Sequence, residues 1–169
     1  MLEVVTSNKH AMGLYEDLGF TYVRTFKCYK NQNPAFAKRG EELSLERVNR
    51  WEAARYSALR SFSPSFIDSD RQIPHNFRNE ILVEASSGDK MVGFILFNQR
   101  SGRISQMAVE PALRGHGIGS RLLDASNALL QNRAMTIMNI PEEAAETHAA
   151  LTALGFENQV DQYEMELLI

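Results

Sequence analysis

The chain has 169 residues, 44% of them hydrophobic and 23% charged, with a formal net charge of −3, which is enough chain for one sizeable core and gives no electrostatic ground for nucleic acid or an acidic membrane as partner. The single cysteine, Cys28, excludes an internal disulfide and a cysteine-rich metal site, and the four scattered histidines lack zinc-ligand spacing, so no metal is expected. No apolar run approaches the roughly 18 residues of a membrane span, and the N-terminus carries no signal-peptide pattern, so the cytoplasm is the expected compartment.

Taken in chain order, "LEVVT" (2–6) is a short β-branched run and predicts a strand. Ser7 or Asn8 can cap the helix that follows, in which Ala11, Leu14, Tyr15 and Leu18 share one apolar face. Gly19 is placed to end that helix, and "TYVRTFKCYK" (21–30) reads as a strand. Residues 31–42 are polar, with Pro34 and Gly40, and read as a linker. Residues 43–62 begin as a strand and become a helix, with Val48, Trp51, Ala54, Ala58 and Phe62 on its buried stripe. Residues 63–74 read as loop or short helix. "EILVEA" (80–85), "MVGFILF" (91–97) and "RISQMAV" (103–109) predict three strands separated by the turns at Ser87-Gly88-Asp89 and Ser101-Gly102. The middle one is almost wholly apolar and is expected at the centre of a sheet. A helix follows over 118–130 and a strand over 135–140. Pro141, with Glu142 and Glu143 behind it, suits the start of a helix running to Leu154. In the last strand Tyr163, Met165 and Leu167 are expected on one face, with Glu164 and Glu166 on the other.

Residues 43–169 therefore read as one mixed α/β domain in the order β-α-β-β-β-α-β-α-β. Residues 2–30 repeat only its last β-α-β piece. The two Leu-Gly-Phe triplets, at 18–20 and 154–156, mark the repeat.

The stretch with chemical content is "MAVEPALRGHGIGSRLL" (107–123), a strand end, a glycine-rich turn and a helix start. Unpaired amides at a helix N-terminus carry partial positive charge, and glycines let a phosphate approach them. Arg114 and Arg121 can add charge. Alone, the turn fits either a phosphate site or a tight strand-to-helix connection. It does not match G-x-G-x-x-G, because Ser120 holds the last glycine position, and it lacks the lysine of a mononucleotide P-loop.

The fuller pattern V-x-P-x-x-R-G-x-G-I-G, Val109 to Gly119, resembles the acetyl-CoA motif of the GNAT N-acetyltransferase superfamily. The resemblance covers residues 43–169, and "SNKHAMGLYEDLGF" (7–20) resembles the same family's closing helix. It implies a GNAT-like fold, a central mixed, mostly antiparallel sheet with helices on both faces, and an N-terminal β-α-β arm. On this resemblance the chain is the tail of one domain (1–30), a linker (31–42) and a complete second domain (43–169), as in a tandem protein cut within its first domain. It implies acetyl-CoA as cosubstrate, with the pantetheine arm along Met107, Ala108 and Val109, where strand 104–109 splays from strand 135–140. The pyrophosphate is expected on Arg114, Gly115, His116, Gly117, Ile118, Gly119 and Ser120. A backbone N–H near Met107 to Val109 would stabilise the oxyanion, and the acceptor is a primary amine of unidentified structure.

Many family members place a tyrosine on the closing helix to protonate the leaving sulfur. Tyr15 matches it in the arm, but Leu151 holds the position in the complete domain and cannot donate a proton. The region that bears the base glutamate in some relatives reads Arg103-Ile104-Ser105-Gln106, without a carboxylate. Glu80, Glu84 and Glu110 are the base candidates by position. His116 reads as a solvated loop residue and His148 as a packing or surface one, and no catalytic residue is assigned. These departures keep open an alternative, an inactive CoA-binding or regulatory module. The arm is too small to fold alone. It has three docking options: on its own second domain, on a neighbour to give a homodimer by strand addition or exchange, or into the core in place of residues 135–169.

Overall fold

The computed structural model describes residues 1–37 and 42–168, and residues 38–41 of the expected linker lie outside the described residues. The core is one eight-stranded sheet in the order β1-β8-β2-β7-β6-β5-β4-β3. Its strands are β1 (Leu2–Val5), β2 (Thr21–Asn31), β3 (Ser44–Val48), β4 (Glu80–Ser87), β5 (Lys90–Asn98), β6 (Arg103–Val109), β7 (Met135–Pro141) and β8 (Glu157–Glu166). Every pairing is antiparallel except β6 with β7. The helices are α1 (Lys9–Asp17), α2 (Ala53–Ser57), α3 (Ile73–Asn76), α4 (Ile118–Leu130) and α5 (Ala145–Ala153). The mixed α/β class expected from the sequence is the one found.

Two apolar clusters lie in this fold. One joins Ile95, Phe97 and Ile104 to Ile118, Leu122 and Leu123 of α4 and to Leu151 of α5. The other joins Leu82, Phe94 and Leu96 to Tyr56, Leu59 and Ile73. β5 contributes to both clusters, so its apolar run is buried on both faces, as its composition requires. Gly93 lets α4 lie close to the sheet. A Cβ there would stand 3.1 Å from the Ala108 carbonyl oxygen and 3.2 Å from side-chain carbons of Ile118 and Leu122.

The arm docks within the same chain in two ways. β1 adds to the outer edge of the sheet on β8. β2 inserts between β7 and β8, pairing with both. β7 and α5 keep their places on the core, and only β8 is parted from β7. The physical reason is pairing: an internal strand satisfies backbone groups on both its edges, and β2 buries Phe26, Cys28, Tyr29 and Asn31 in doing so. The repeat is structural as well as sequential. α1 and α5 are both nine residues long. Both end on a positive-φ glycine, Gly19 at 88° and Gly155 at 81°, with matching bonds from Phe20 N to Tyr15 O and from Phe156 N to Leu151 O.

Two local expectations are corrected, and the last strand holds a buried acid that the alternation did not reveal. The helix expected up to Phe62 is the five-residue α2, and Trp51 lies before it, stacked on the buried Tyr56 ring at 4.5 Å. Pro141 ends β7 rather than opening a helix, because its partner is Phe26 of the inserted strand. Glu164 does not face solvent but is 1% exposed. The inserted β2 sets Arg24 opposite it in register, with Arg24 Nε 2.7 Å from Glu164 Oε2.

Candidate active site

β6 and β7 are paired only at Arg103↔Thr136 and Ile104↔Ile137, after which they diverge. A register shift between Leu96 and Phe97, where Ser105 is the extra residue on β6, accompanies the divergence. From Ser105 to Val109 the β7-facing edge of β6 has no strand partner, and a cavity of about 620 Å³ opens there, lined by residues including Met107, Ala108 and Val109. A second cavity, of about 1000 Å³, adjoins it at the glycine turn and is lined by Val109, Gly115, Gly117, Ile118, Gly119 and Ser120. The expected cofactor residues are therefore brought together, except that His116 is exposed and lines neither cavity.

Gly115 and Gly117 have φ of 80° and 86°, a conformation that aims successive amides to one side. The N–H groups of Gly115, His116 and Gly117 have no hydrogen-bond acceptor among the described residues, and a Cβ on Gly115 would meet open space. Arg114 serves differently from expectation. Its guanidinium turns back to the carbonyls of Val109 and Leu59, each at 3.2 Å, and braces the turn against β6. His116 Nδ1 lies 3.0 Å from the Arg114 carbonyl oxygen.

The sequence reading missed part of the wall. Residues 31–37 run along α4: Asn127 Nδ2 donates to Pro34 O at 3.0 Å and Ser120 Oγ donates to Ala37 O at 2.8 Å. Phe36 stacks on Phe156, and both Phe36 and Ala37 line the larger cavity. A polar composition concealed this, since the two hydrogen bonds are accepted by backbone carbonyls.

Leu151 is buried at the inner cavity, as its role on the closing helix requires. Tyr15 is not at either cavity; its ring meets Phe20 at 5.8 Å on α1, a helix with no buried residue. His148 is a packing residue, accepting or donating across 2.8 Å to the Tyr29 hydroxyl. Glu84 is engaged by Arg55 at 2.6 Å and 2.9 Å and by the Tyr56 hydroxyl at 2.5 Å. Burial, reinforced by that bond, pushes the Tyr56 hydroxyl far up from its ordinary value. Glu110 lies 3.4 Å from Lys90. Glu80 accepts from Ser105 Oγ at 3.0 Å, and burial raises its carboxyl.

Three acidic residues line the inner cavity, Asp68, Glu143 and Glu146. Glu143 and Glu146 are exposed, and the buried one is Asp68, in the loop after α2. It is 4% exposed. Its Oδ2 accepts from Arg103 at 2.6 Å, and burial raises its pKa while the guanidinium opposes the rise. Gln106, 8% exposed, holds the Asp68 carbonyl through Nε2 at 2.5 Å. Among the described residues no cluster of side chains suits a metal ion, and no helix is long and apolar enough to cross a membrane.

Comparison with known proteins agrees with this geometry. Residues 50–168 match the family model described as an acetyltransferase (GNAT) domain. A GCN5-related N-acetyltransferase from Sphaerobacter thermophilus superposes with a TM-score of 0.64 at 16% identity, covering 96% of this chain and 57% of that one. One from Kribbella flavida gives 0.64 at 12% identity, covering 96% and 66%. AAC(6')-Iy, solved with a CoA-based bisubstrate analogue, gives 0.52 at 18% identity, covering 76% and 96%. These likenesses are of fold. The chain thus spans little more than half of the first of these structures and about two-thirds of the second. No curated protein matches the sequence.

Proposed function

The chain belongs to the GNAT acetyltransferase family, and from that premise we propose that it moves the acetyl group of acetyl-CoA to a primary amine by direct attack in a ternary complex. The observation that carries the reading is the unpaired β7-facing edge of β6 lying beside the open amides of the glycine turn. An extended pantetheine arm fits the first as an added strand would, and a pyrophosphate fits the second. Acetyl-CoA supplies the activated thioester. The chain's own part is to hold it along Met107 to Val109, to offer a backbone N–H there to the developing oxyanion, and to keep water out with Leu151, Leu154 and Phe62. That a structural neighbour binds a CoA-based analogue supports the assignment of the cleft.

Residues 1–30 read, within this proposal, as the closing β-α-β of a first domain of the same kind. The repeated helix length, glycine cap and backbone bonds support it. Exchange of the arm between two copies is the corresponding route to a homodimer.

A second reading, a CoA-binding module without catalysis, draws on the buried Leu151 where family members carry a tyrosine. Thiol release from acetyl-CoA over a panel of primary amines separates the two. Release above the buffer rate with any amine supports transfer. Tight acetyl-CoA binding without release across the panel supports the module.

A further inference from the structure

We infer that Asp68 and Gln106 form the seat of the acceptor's reacting ammonium, and that Asp68 takes its proton. The inference rests on the acetyl-transfer reading and deepens it.

The geometry is that of a pocket end offering acceptors. Asp68 Oδ2 is taken by Arg103, whereas Oδ1 has no hydrogen bond among the described residues. The Gln106 amide is oriented by its own bond, because the Asp68 carbonyl can only accept. Nε2 must face that carbonyl, so Oε1 points away from it. That oxygen is buried and has no partner among the described residues. An unmade bond on a buried amide is costly, and a donor arriving there is favoured accordingly. The neighbouring donor, Asn139 Nδ2, is already committed to Glu3 Oε2 at 2.9 Å and Ser65 Oγ at 3.1 Å. Arg60, which also lines the cavity, keeps Nε buried and unpartnered while its other two guanidinium nitrogens hold Asp70. The unpartnered atoms beside Asp68 itself are therefore the two oxygens, and these suit a group that only donates, such as a primary ammonium with its three N–H bonds.

Charge agrees. Asp68 faces the Arg103 cation of β6, Glu3 of β1 and Glu80 of β4. One cation among three acids leaves room for another. Position agrees as well, since Gln106 immediately precedes Met107, where the thioester is expected. Burial raises the Asp68 carboxyl from its ordinary value, with Arg103 opposing the rise, a direction that suits a group that must accept a proton and later release it.

The step balances as follows. Asp68 removes one proton from the ammonium. The freed lone pair forms the C–N bond as the C–S bond breaks. The nitrogen's second surplus proton goes to the leaving sulfur, and Asp68 returns its proton to solvent.

The test uses the full chain, with Asp68→Asn and Gln106→Leu, and two probes matched in size: ethylamine, cationic near neutral pH, and 2,2,2-trifluoroethylamine, already neutral. Acetyl-CoA titration comes first, and both variants are expected to bind it as wild type does. Failure of the wild-type chain to bind would strike the proposed function itself. With binding intact, Asp68→Asn should lower kcat/KM for ethylamine about 100-fold and for trifluoroethylamine less than about 5-fold. Gln106→Leu should raise KM for ethylamine with the smaller effect on kcat. Equal losses with both amines would make Asp68 only the structural partner of Arg103 and overturn the inference. A turnover-free readout is the carboxyl carbon resonance of Asp68 in ¹³C-aspartate-labelled chain with CoA bound. Ethylammonium should shift it in wild type and not in Gln106→Leu, and an unmoved resonance in wild type overturns the seat.

Discussion

Arg24→Ala is the sharpest test of how the arm supports the site. Arg24 stands on the inserted β2, with Nε 2.7 Å from Glu164 Oε2 and its guanidinium 4.6 Å from the centre of the Phe26 ring. The same guanidinium donates to the carbonyls of Ser63 and Pro64, each at 3.1 Å. Glu164 Oε1 accepts from Phe66 N at 3.2 Å. One ion pair therefore ties the arm to the loop that carries Ser65 and Asp68. Glu164 is almost wholly buried, so removing the arginine leaves an unpaired charge in the interior, at a cost of about 3–5 kcal/mol. Arg24 itself is partly wetted, 24% exposed, which places the expectation at the lower end, about 3 kcal/mol. For a chain of this size that is a fall in Tm of about 6–12 °C. Urea and thermal unfolding of the wild type, Arg24→Ala, Glu164→Leu and an Arg24→Met/Glu164→Leu pair would measure it. The double variant should recover part of the loss, because an apolar pair does not strand a charge. It should not recover all of it, because the Phe66 amide and two carbonyls remain without partners, at about 1 kcal/mol or more. A single-variant cost under about 1 kcal/mol, or full recovery in the double, would refute the claim that this pair holds the loop.

Other expectations follow from the same contacts. Gly117→Ala forces a side chain into a φ of 86° at about 1–2 kcal/mol and should weaken acetyl-CoA binding at least tenfold by calorimetry. Gly93→Ala puts a Cβ 3.1 Å from the Ala108 carbonyl oxygen and against α4, so a loss of about 1–3 kcal/mol in denaturant unfolding is expected, together with weaker cofactor binding as α4 and its turn shift. Tyr56→Phe removes a bond to Glu84 that Arg55 only partly replaces; it should cost about 1.5–3 kcal/mol and leave acetyl-CoA affinity unchanged. Cys28 is buried, and burial raises its thiol pKa; it should react with a thiol reagent only after unfolding, so thiol release from acetyl-CoA can be read without background from the folded chain. If Asp68 accepts the proton, kcat/KM falls as the medium is acidified through its pKa, and that limb should sit above the ordinary aspartate value of about 3.9.

What the sequence disclosed and what it withheld divide along a physical line. The glycine turn, the strand β6 and the helix α4 follow from local demands: positive φ at Gly115 and Gly117, and apolar residues at helical spacing. Such demands act within a few residues and so leave a pattern. The insertion of β2 between β7 and β8 leaves none, because a strand's own residues state which faces are apolar but not which two neighbours it will pair with. Glu164 shows the consequence. Alternation in the last strand says only that it lies on the face opposite Tyr163, Met165 and Leu167, and not that a strand from 140 residues away brings Arg24 opposite it. Asp68 and Gln106 were hidden by the same non-locality. "SFIDSD" reads as a polar loop, and Gln106 reads as a missing carboxylate. Only the fold sets the loop over the splayed edge of β6, where an amide fixed by the loop's own carbonyl and a half-used carboxylate face one cleft. Acid–base chemistry in this family's frame therefore need not sit on the motif strand itself. The arm, through Arg24, positions a loop-borne carboxylate that can serve in its place.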